Sequence, residues 1–310
     1  MKNEKWTAEN VPDQTGRVVI VTGSSSGIGY EAARVLANKN AEVIIAVRSL
    51  EKGEAAAAKI REQKNEANVK VMKLDLADLA SVRSFTSEFP DKYSRLDLLI
   101  NNAGVMIPPY SKTSDGFELQ FGTNHLGHFA LTGQLIGLLE RTSGSRIVNV
   151  SSGAHKAGNI DFDDLNWEKR SYSAWRAYGA SKIANLYFTY ELARRLKAAG
   201  SGMIAVAAHP GYTATELQRT MPLAAIANAI FAQDVSMGAL PTLRAATDEA
   251  VAGGEYYGPN GFMEMRGLPV RVESNELSKD PAIAKRLWDV SEQLTGVLFN
   301  LDLRAGSKAA

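Results

Sequence analysis

Tyr178 and Lys182 are the residues whose types and spacing point most directly to chemistry. Four residues apart on a predicted helix, they lie on one face of it. A free tyrosine has a pKa of about 10, which is too high for an efficient acid or base at neutral pH, and a nearby ammonium lowers that pKa by stabilising the phenolate. Such pairs are also common on protein surfaces, so the prediction of an acid–base pair depends on what surrounds it.

Two further groups of polar residues follow apolar runs and could join this pair. Ser151 and Ser152 end one run, where a hydroxyl could polarise a carbonyl oxygen. Asn101-Asn102-Ala103-Gly104 ends another. In an open α/β sheet, ligands bind at the carboxyl ends of the strands. We therefore expect both segments to border one site.

A predicted helix carries Asn124 together with His125 and His128. Two histidines three residues apart could present a metal-binding face. No carboxylate or cysteine at a suitable spacing completes such a site, so we predict no metal. We expect both rings to pack or to form hydrogen bonds.

A glycine-rich turn, Thr22 to Gly29, lies between a predicted strand and a predicted helix. Its first glycine permits a tight turn, and the later ones let the backbone approach a pyrophosphate. The N-terminus of the following helix offers unpaired N–H groups to an anion. A plain tight loop is the alternative, but the position of the turn favours binding of a dinucleotide, with hydroxyl donors from Ser24 to Ser26.

The end of the second predicted strand, Ala46-Val47-Arg48-Ser49, bears on which dinucleotide is bound. An acidic residue there would accept a hydrogen bond from a ribose 2′-hydroxyl, and none is present. Arg48 instead brings a permanent cation that suits bidentate contact with a 2′-phosphate. A solvated surface arginine is the alternative. We predict that NADP(H) is preferred, with NAD(H) as a second possible cofactor.

The elements that must position these residues follow from the periodicity of the apolar residues. The predicted strands are Arg17–Thr22, Glu42–Val47, Val69–Leu74, Leu96–Ile100, Arg146–Ser151 and Met203–Ala208. The predicted helices are a segment from Ile28 to Leu36, Glu51–Lys64, Asp78–Phe89, most of Gly116–Leu139, Ala177–Ala199 and a final helix over about 280–301. This alternation predicts an α/β fold, in which one doubly wound parallel sheet is covered by helices on both faces.

The composition narrows the class of protein. The chain has 310 residues, 45% of them apolar, which suits one large α/β domain. Its 35 basic and 34 acidic side chains nearly cancel, so we expect no nucleic-acid partner. The absence of cysteine excludes disulfides and thiolate catalysis and fits a cytoplasmic location. We expect no membrane span, because no segment approaches roughly 18 apolar residues. We expect no signal peptide, because Met1 to Gln14 is polar and lacks an apolar stretch.

Taken together, the motifs resemble the short-chain dehydrogenase/reductase family, and more closely its retinol-dehydrogenase-like branch. The chain is also similar to WW-domain oxidoreductases and protochlorophyllide reductases. The resemblance runs from about Arg17 to Val297. It rests on Thr22 to Gly29, Leu74-Asp75-Leu76, Asn101 to Gly104, Asn124 to Phe129, Asn149 to Ser152, Tyr178 to Lys182 and His209-Pro210-Gly211. It implies a single NAD(P)-binding Rossmann-fold domain over residues 1–310.

The resemblance also implies roles for individual residues. Tyr178 would be the acid–base, Lys182 would lower its pKa and hold the cofactor, Ser152 would bind the substrate oxygen, and Asn124 would support a water in a proton relay. The implied cofactor-binding residues are Gly23, Ser25, Ser26, Gly27, Ile28, Gly29, Arg48, Asp75, Leu76, Asn102, Ala103, Gly104, Tyr178, Lys182, Pro210, Gly211 and Thr213.

We therefore expect an NADPH-preferring oxidoreductase that moves a hydride between the nicotinamide and a carbonyl or alcohol carbon of an apolar small molecule, such as an aldehyde, a ketone or a retinoid- or steroid-like compound. Reduction of a carbon–carbon double bond or of a quinone on the same fold is one alternative. A non-catalytic NADPH-binding regulator is another. The resemblance implies that such regulators usually lose the tyrosine or lysine, so the presence of both favours an enzyme.

The segment 212–235 is expected to border the substrate. Its apolar part, Met221 to Ala232, could be a lid or pocket wall, a core or subunit interface, or a membrane-surface contact. The long helix from Ala177 is rich in small residues and could pack against a second copy of the chain, which leaves a homo-oligomer open.

Overall fold

The computed structural model describes residues 5–213 and 233–301. A sheet of eight strands, in the order β3-β2-β1-β4-β5-β6-β7-β8, forms the centre of this part of the chain. The strands are β1 (Val18–Thr22), β2 (Glu42–Val47), β3 (Val69–Lys73), β4 (Leu98–Asn101), β5 (Arg146–Val150), β6 (Ile204–Ala208), β7 (Tyr256–Pro259) and β8 (Pro269–Arg271). The first seven are parallel, and β8 runs antiparallel to β7. The strand order reverses between β1 and β4, the point at which such sheets bind ligands.

The helices of the described ranges cover both faces of the sheet. They are α1 (Gly27–Asn38), α2 (Leu50–Gln63), α3 (Leu79–Lys92), α4 (Gly127–Arg141), α5 (Ala174–Ala198), α6 (Val235–Thr247) and α7 (Pro281–Thr295). Alternate residues of β1 show the two layers: Val19 and Val21 pack in the core with α1, α2 and α6, whereas Val18 and Ile20 pack with α3, α4 and α5. The prediction of a doubly wound α/β fold is confirmed.

The predicted strands differ from β1–β6 by at most two residues at either end. The structure adds α6, β7 and β8, which the sequence did not predict. Strand β8 has only three residues, and β7 ends in Gly258-Pro259, so neither shows the apolar alternation from which a strand is predicted.

The predicted final helix over 280–301 is wrong at its end. Helix α7 ends at Thr295, because Gly296 adopts a left-handed conformation with φ 68° and closes the helix. The apolar residues beyond it, Val297 and Phe299, leave the helix and pack into the core beneath α3 and α4.

The predicted helix over 116–139 is interrupted. A short helical turn, Leu119–Phe121, leads into a π-helical turn, Gly122–Leu126, and only then into α4. At the end of the π-helical turn the N–H of Gly127 bonds to the carbonyl of Gly122, five residues back. Such turns occur frequently at functional sites, and this one carries Asn124.

The segment predicted to border the substrate lies mostly outside the described residues, because 214–232 are not among them. Its ends pair, since Thr213 and Gln233 form a parallel bridge. The expectation of a lid, interface or membrane contact at Met221 to Ala232 therefore stays a prediction. In the two described ranges, no helix has the length and apolar character that crossing a membrane requires.

Candidate active site

The glycine-rich turn leaves β1 with backbone geometry that only glycine suits. Gly23 has φ +65°, and a Cβ there would stand 2.8 Å from the Cα of Ala103. A Cβ on Gly29 would collide with the side-chain amide of Asn102 and stand 2.8 Å from the carbonyl oxygen of Gly23. The turn therefore lies directly against the segment after β4.

The serines of this turn differ in where their hydroxyls point. Ser24 is buried and donates to the carbonyl of Val21 at 2.7 Å, so the expectation that it offers a donor to a ligand is wrong. Ser26 is the N-cap of α1, and its side chain makes no capping hydrogen bond. Ser25 is half-buried and Ser26 exposed, and neither hydroxyl bonds to another described residue. Those two can face an anion at the helix N-terminus, beside Gly27 and Ile28.

Arg48 stands beside this turn. Ala46 of β2 is in register with Thr22 of β1, and Arg48 follows two residues later. Its side chain is exposed, and it forms no ion pair or hydrogen bond with any residue of 5–213 or 233–301. The guanidinium is thus available to a negatively charged ligand at this edge.

The segment after β4 is held to β1 by Thr22. The backbone N–H groups of Asn102 and Ala103 both donate to the hydroxyl of Thr22 at 2.9 Å, and the side-chain amide of Asn102 donates to the Thr22 carbonyl at 2.8 Å. A Cβ on Gly104 would stand 3.1 Å from Oδ1 of Asn124 and 3.6 Å from Nζ of Lys182. This segment therefore joins the glycine-rich turn to the predicted catalytic residues.

Asp75 and Leu76 follow β3, which β2 separates from β1 and the glycine-rich turn. Asp75 is half-buried, and its Oδ1 accepts the N–H of Ala77 at 3.0 Å. Leu76 is buried and packs on Gly127 at the start of α4, where a Cβ would collide with its carbonyl oxygen. Both lie at the carboxyl edge of the sheet, as expected.

Tyr178, Ser152 and Lys182 come together at the carboxyl end of β5. Helix α5 carries Tyr178 and Lys182 on its buried face, and the side chain of Ser152 lies close enough to the phenol to act on its pKa. Lys182 is 4% exposed, and its ammonium donates to the carbonyl of Val150 at 3.2 Å. It lies 5.7 Å from the centre of the Tyr178 ring.

The pKa of Tyr178 moves in the opposite direction to the one expected. Burial raises it to about 12, and the side chain of Ser152 offsets only part of that rise. Burial also lowers the pKa of Lys182 to about 8. Desolvation disfavours the charged form of each group, and it is the largest cause of both shifts.

The neighbouring serines have different contacts. Ser151 is 2% exposed and donates to the carbonyl of Lys182 at 2.8 Å. Ser152 is only half-buried, accepts the N–H of Ala154 at 3.2 Å and contacts Tyr178. Only Ser152 therefore offers its hydroxyl beside the phenol.

Asn124 ties the π-helical turn to its surroundings. Its side chain accepts the N–H of Val105 at 2.8 Å and donates to the carbonyl of Val105 at 3.0 Å and to the hydroxyl of Ser181 at 2.9 Å. The residue is fully buried. Its side chain is thus fixed between the segment after β4 and α5, close to Lys182.

The segment after β6 completes the site. Gly211 has φ +68°, and a Cβ there would stand 2.8 Å from Cγ of Pro259 and collide with the carbonyl of Met265. Thr213 donates from its hydroxyl to the carbonyl of Pro210 at 3.0 Å. Pro210, Gly211 and Thr213 therefore stand in one compact turn at the same edge as Ser152.

Several site residues had no role in the sequence predictions. Thr22 begins the glycine-rich turn, but only the fold shows that its hydroxyl holds the segment after β4. Asn101 and Asn149, both fully buried, bond to one another at 2.8 Å across β4 and β5. Polar residues inside otherwise apolar strands were the available signal for this pair, because a buried amide requires a partner.

The residues present fit a dinucleotide. One part of the carboxyl edge of the sheet is bordered by two glycines without room for a Cβ, two hydroxyls that bond to no described residue, an exposed guanidinium and the N-terminus of α1. These groups suit a pyrophosphate and a further phosphate. A phenol and a hydroxyl stand at the other end of that edge and can hold a carbonyl oxygen. This arrangement defines a dinucleotide-dependent oxidoreductase.

Comparison with known proteins agrees with this class of enzyme. The sequence model of the short chain dehydrogenase family matches residues 17–224. The chain belongs to this family, whose members use NAD(P) to oxidise alcohols or reduce carbonyl groups, and it is an oxidoreductase of that kind.

Curated relatives narrow the branch. The chain is 44% identical to retinol dehydrogenase 12 of Mus musculus over 287 residues, which cover 91% of this chain and 87% of that protein. It is 45% identical over 285 residues to retinol dehydrogenase 11 of Homo sapiens, with 91% and 86% of the two chains covered. The retinol-dehydrogenase-like branch predicted from the motifs is confirmed.

Solved structures have the same fold. An uncharacterized protein from Mycobacterium paratuberculosis is 45% identical with a TM-score of 0.81, and the match covers 96% of this chain and 99% of that one. The Pseudomonas aeruginosa RhlG/NADP active-site complex is 25% identical with a TM-score of 0.63, over 78% and 94% of the chains.

Proposed function

We propose that this protein is an NADPH-preferring oxidoreductase that transfers a hydride between the nicotinamide and a carbonyl or alcohol carbon of an apolar small molecule. The contact between Ser152 and Tyr178, with Lys182 buried beside them, carries the proposal. The three lie at the edge of the sheet that holds the glycine-rich turn.

In the proposed reduction, the hydroxyls of Ser152 and Tyr178 hold the carbonyl oxygen and stabilise the negative charge that develops on it. A nicotinamide held at this edge of the sheet would supply the hydride. Tyr178 gives its proton to the oxygen, and Lys182 with a water near Asn124 replaces that proton. Acid–base help of this kind typically contributes about 10²–10⁴-fold in rate.

Preference for NADPH is supported by Arg48. Its guanidinium, which bonds to none of the described residues, follows the strand next to the glycine-rich turn, and Ser25 and Ser26 add hydroxyls nearby. Two similar structures at 25% identity, RhlG and a short chain dehydrogenase from Shigella flexneri, are described as NADP complexes.

An apolar substrate is supported by the names of the relatives, which are retinol dehydrogenases at 40–45% identity. The apolar segment from Met221, expected to border the substrate, points the same way. The test is NADPH oxidation against aldehydes, ketones, quinones and enones, with retinal in the panel. Turnover of enones or quinones alone would favour the alternative reductase, and NADPH binding without any turnover would favour a regulator.

The role of Tyr178 is tested by Tyr178→Phe, which removes only the proton-bearing hydroxyl. We expect turnover to fall by about 10³-fold or more, with the Kd for NADPH changed less than threefold. Ser152→Ala should also lower kcat, whereas Ser151→Ala, the matched control, should lower stability more than kcat. Full activity of Tyr178→Phe would refute the assignment.

The role of Arg48 is tested by Arg48→Asp. We expect it to weaken NADPH and relatively favour NADH, since the carboxylate repels a 2′-phosphate and accepts a hydrogen bond from a 2′-hydroxyl. The ratio of kcat/KM with NADPH to kcat/KM with NADH should fall about tenfold or more, which corresponds to loss of one charge-assisted hydrogen bond. Lys52→Asp, at an exposed cation of α2, is the control. An unchanged ratio in Arg48→Asp would show that another residue selects the cofactor.

A further inference from the structure

The ring of His128 joins two parts of the candidate site that lie on different elements. It stands in the first turn of α4 and is 1% exposed. Its Nε2 lies 2.9 Å from the hydroxyl of Thr22 on β1, and its Nδ1 lies 3.0 Å from the backbone carbonyl of Asn124. The sequence predicts only that this ring packs or forms hydrogen bonds.

The protons of this link can be assigned from its partners. Burial lowers the pKa of His128 to about 4, so the ring is neutral at pH 7, with one donor and one acceptor nitrogen. A carbonyl only accepts, so Nδ1 carries the proton and donates to Asn124. Nε2 then accepts the proton of the Thr22 hydroxyl, which also lies 3.4 Å from the carbonyl of Ile100 in a longer contact.

This assignment leaves the oxygen of Thr22 with its lone pairs directed at the backbone of the segment after β4. There it accepts the N–H groups of Asn102 and Ala103, each at 2.9 Å. The hydroxyl therefore makes one bond as donor and two as acceptor, and its orientation depends on the acceptor nitrogen of His128. A chain of hydrogen bonds runs from the Asn102–Ala103 backbone through Thr22 and His128 to Asn124.

We propose that His128 is a positioning residue that holds the segment after β4 and the carbonyl of Asn124 in one fixed relation. The first of these borders the dinucleotide in the proposed function, and the second belongs to the proposed proton relay. The inference rests on that function for what the site binds, but the link itself is a property of the folded chain.

His125 provides a matched control on the same stretch of helix. It is also about 1% exposed, and burial lowers its pKa to about 3. Its Nε2, however, lies 2.9 Å from the hydroxyl of Ser291 on α7, away from the glycine-rich turn. In either position, phenylalanine fills a volume similar to that of the buried histidine ring but forms none of its hydrogen bonds. Only His128→Phe breaks the link to Thr22.

The first measurement needs no cofactor. Hydrogen exchange of the Asn102 and Ala103 amides is compared in the wild type, His128→Phe, His125→Phe and Thr22→Val. We expect both amides to exchange about tenfold faster or more in His128→Phe and Thr22→Val, and at near wild-type rates in His125→Phe. Equal exchange in the two histidine variants would overturn the proposal.

The second measurement is calorimetric titration with NADPH, together with kcat for a substrate found in the panel. His128→Phe should raise the Kd for NADPH about tenfold and lower kcat. The double variant His128→Phe/Thr22→Val should have a Kd no higher than that of the single variant that binds NADPH more weakly, because both substitutions break the same link. Additive effects would overturn the proposal. If His128→Phe does not fold, His128→Gln, which keeps one donor and one acceptor, takes its place. Its Kd for NADPH should lie between those of the wild type and Thr22→Val, and binding weaker than that of Thr22→Val would show that His128 acts through something other than this link. If the wild type binds no dinucleotide, the proposed function is refuted. The hydrogen-exchange measurement would still decide the role of His128.

Discussion

The phenol of Tyr178 and the ammonium of Lys182 are both buried, and burial favours the neutral form of each. With a pKa near 12, the phenol keeps its proton throughout the neutral range and can act as an acid towards a carbonyl oxygen. Oxidation of an alcohol requires the phenolate instead. We therefore expect this pair to favour reduction near neutral pH and the reverse direction only as the pH rises.

Lys182 makes a testable contribution to the pH dependence of stability. Its pKa falls from 10.5 to about 8 on folding, so between these values the unfolded chain binds more protons than the folded one. The free energy of unfolding should therefore rise with pH across that window, by at most about 1.4 kcal/mol per pH unit from this group, and the destabilising contribution should be complete below pH 8.

The measurement is urea unfolding of the protein between pH 7.5 and 9.5, compared with Lys182→Met. The difference in unfolding free energy between the two proteins should change over this range. Lys197→Met, at an exposed lysine of the same helix, serves as the control and should follow the wild type. A constant difference between wild type and Lys182→Met would show that the folded-state pKa is not lowered.

At the scale of residues, the sequence indicated which side chains come together, but not their pKa values or their hydrogen-bond partners. Tyr178, Ser152, Asn124 and Lys182 stand in short motifs at predictable positions, so their convergence followed from the fold. The direction of the Tyr178 pKa did not, because it depends on how completely the phenol is buried. The occupied hydroxyl of Ser24 and the link through His128 depend on contacts between elements, which spacing along the chain does not contain.

At the scale of elements, six strands were predictable because each is a buried β-branched run followed by a helical pattern. Strand β7 was not, although it supports the segment after β6. A Cβ on Gly258 of β7 would collide with Nε2 of His209, whose Nδ1 accepts the N–H of Gly211 at 3.3 Å. His209 Nε2 also lies 3.1 Å from the carboxylate of Glu264, which Lys156 approaches to 3.5 Å.

Gly258→Ala is therefore expected to displace the ring of His209 and, with it, the turn at Gly211. Because Pro210 and Gly211 are predicted to flank the nicotinamide, we expect the KM for NADPH to rise about fivefold or more, as loss of one hydrogen bond of about 1 kcal/mol would give. Gly253→Ala is the matched control, since a Cβ there meets Ile204 only at an ordinary 3.6 Å. A KM for NADPH equal in the two variants would mean that β7 does not position this turn.

At the scale of the whole described chain, α7 covers one face of α5, the helix that the sequence suggested for contact with a second copy. Ala180, Ile183 and Ala184 of α5 pack in one apolar cluster with Ala284 and Leu287 of α7. This face of α5 is therefore occupied by the chain's own helix, and any homo-oligomer would need another surface. Oligomeric state and cytoplasmic location stay predictions.

Trp288 of α7 holds this cover in place. It is 2% exposed, and its ring lies 4.5–5.8 Å from those of Phe129, Phe188 and Phe299, with the guanidinium of Arg195 4.2 Å from its centre. Trp288→Ala should lower the free energy of unfolding by about 3–5 kcal/mol, because it removes a large side chain from a filled core. Urea unfolding measures this, with Trp175→Ala as the control at a ring that is 48% exposed and should cost much less. A cost below about 1 kcal/mol for Trp288→Ala would show that α7 adds little to stability and can leave the face of α5 free for a partner.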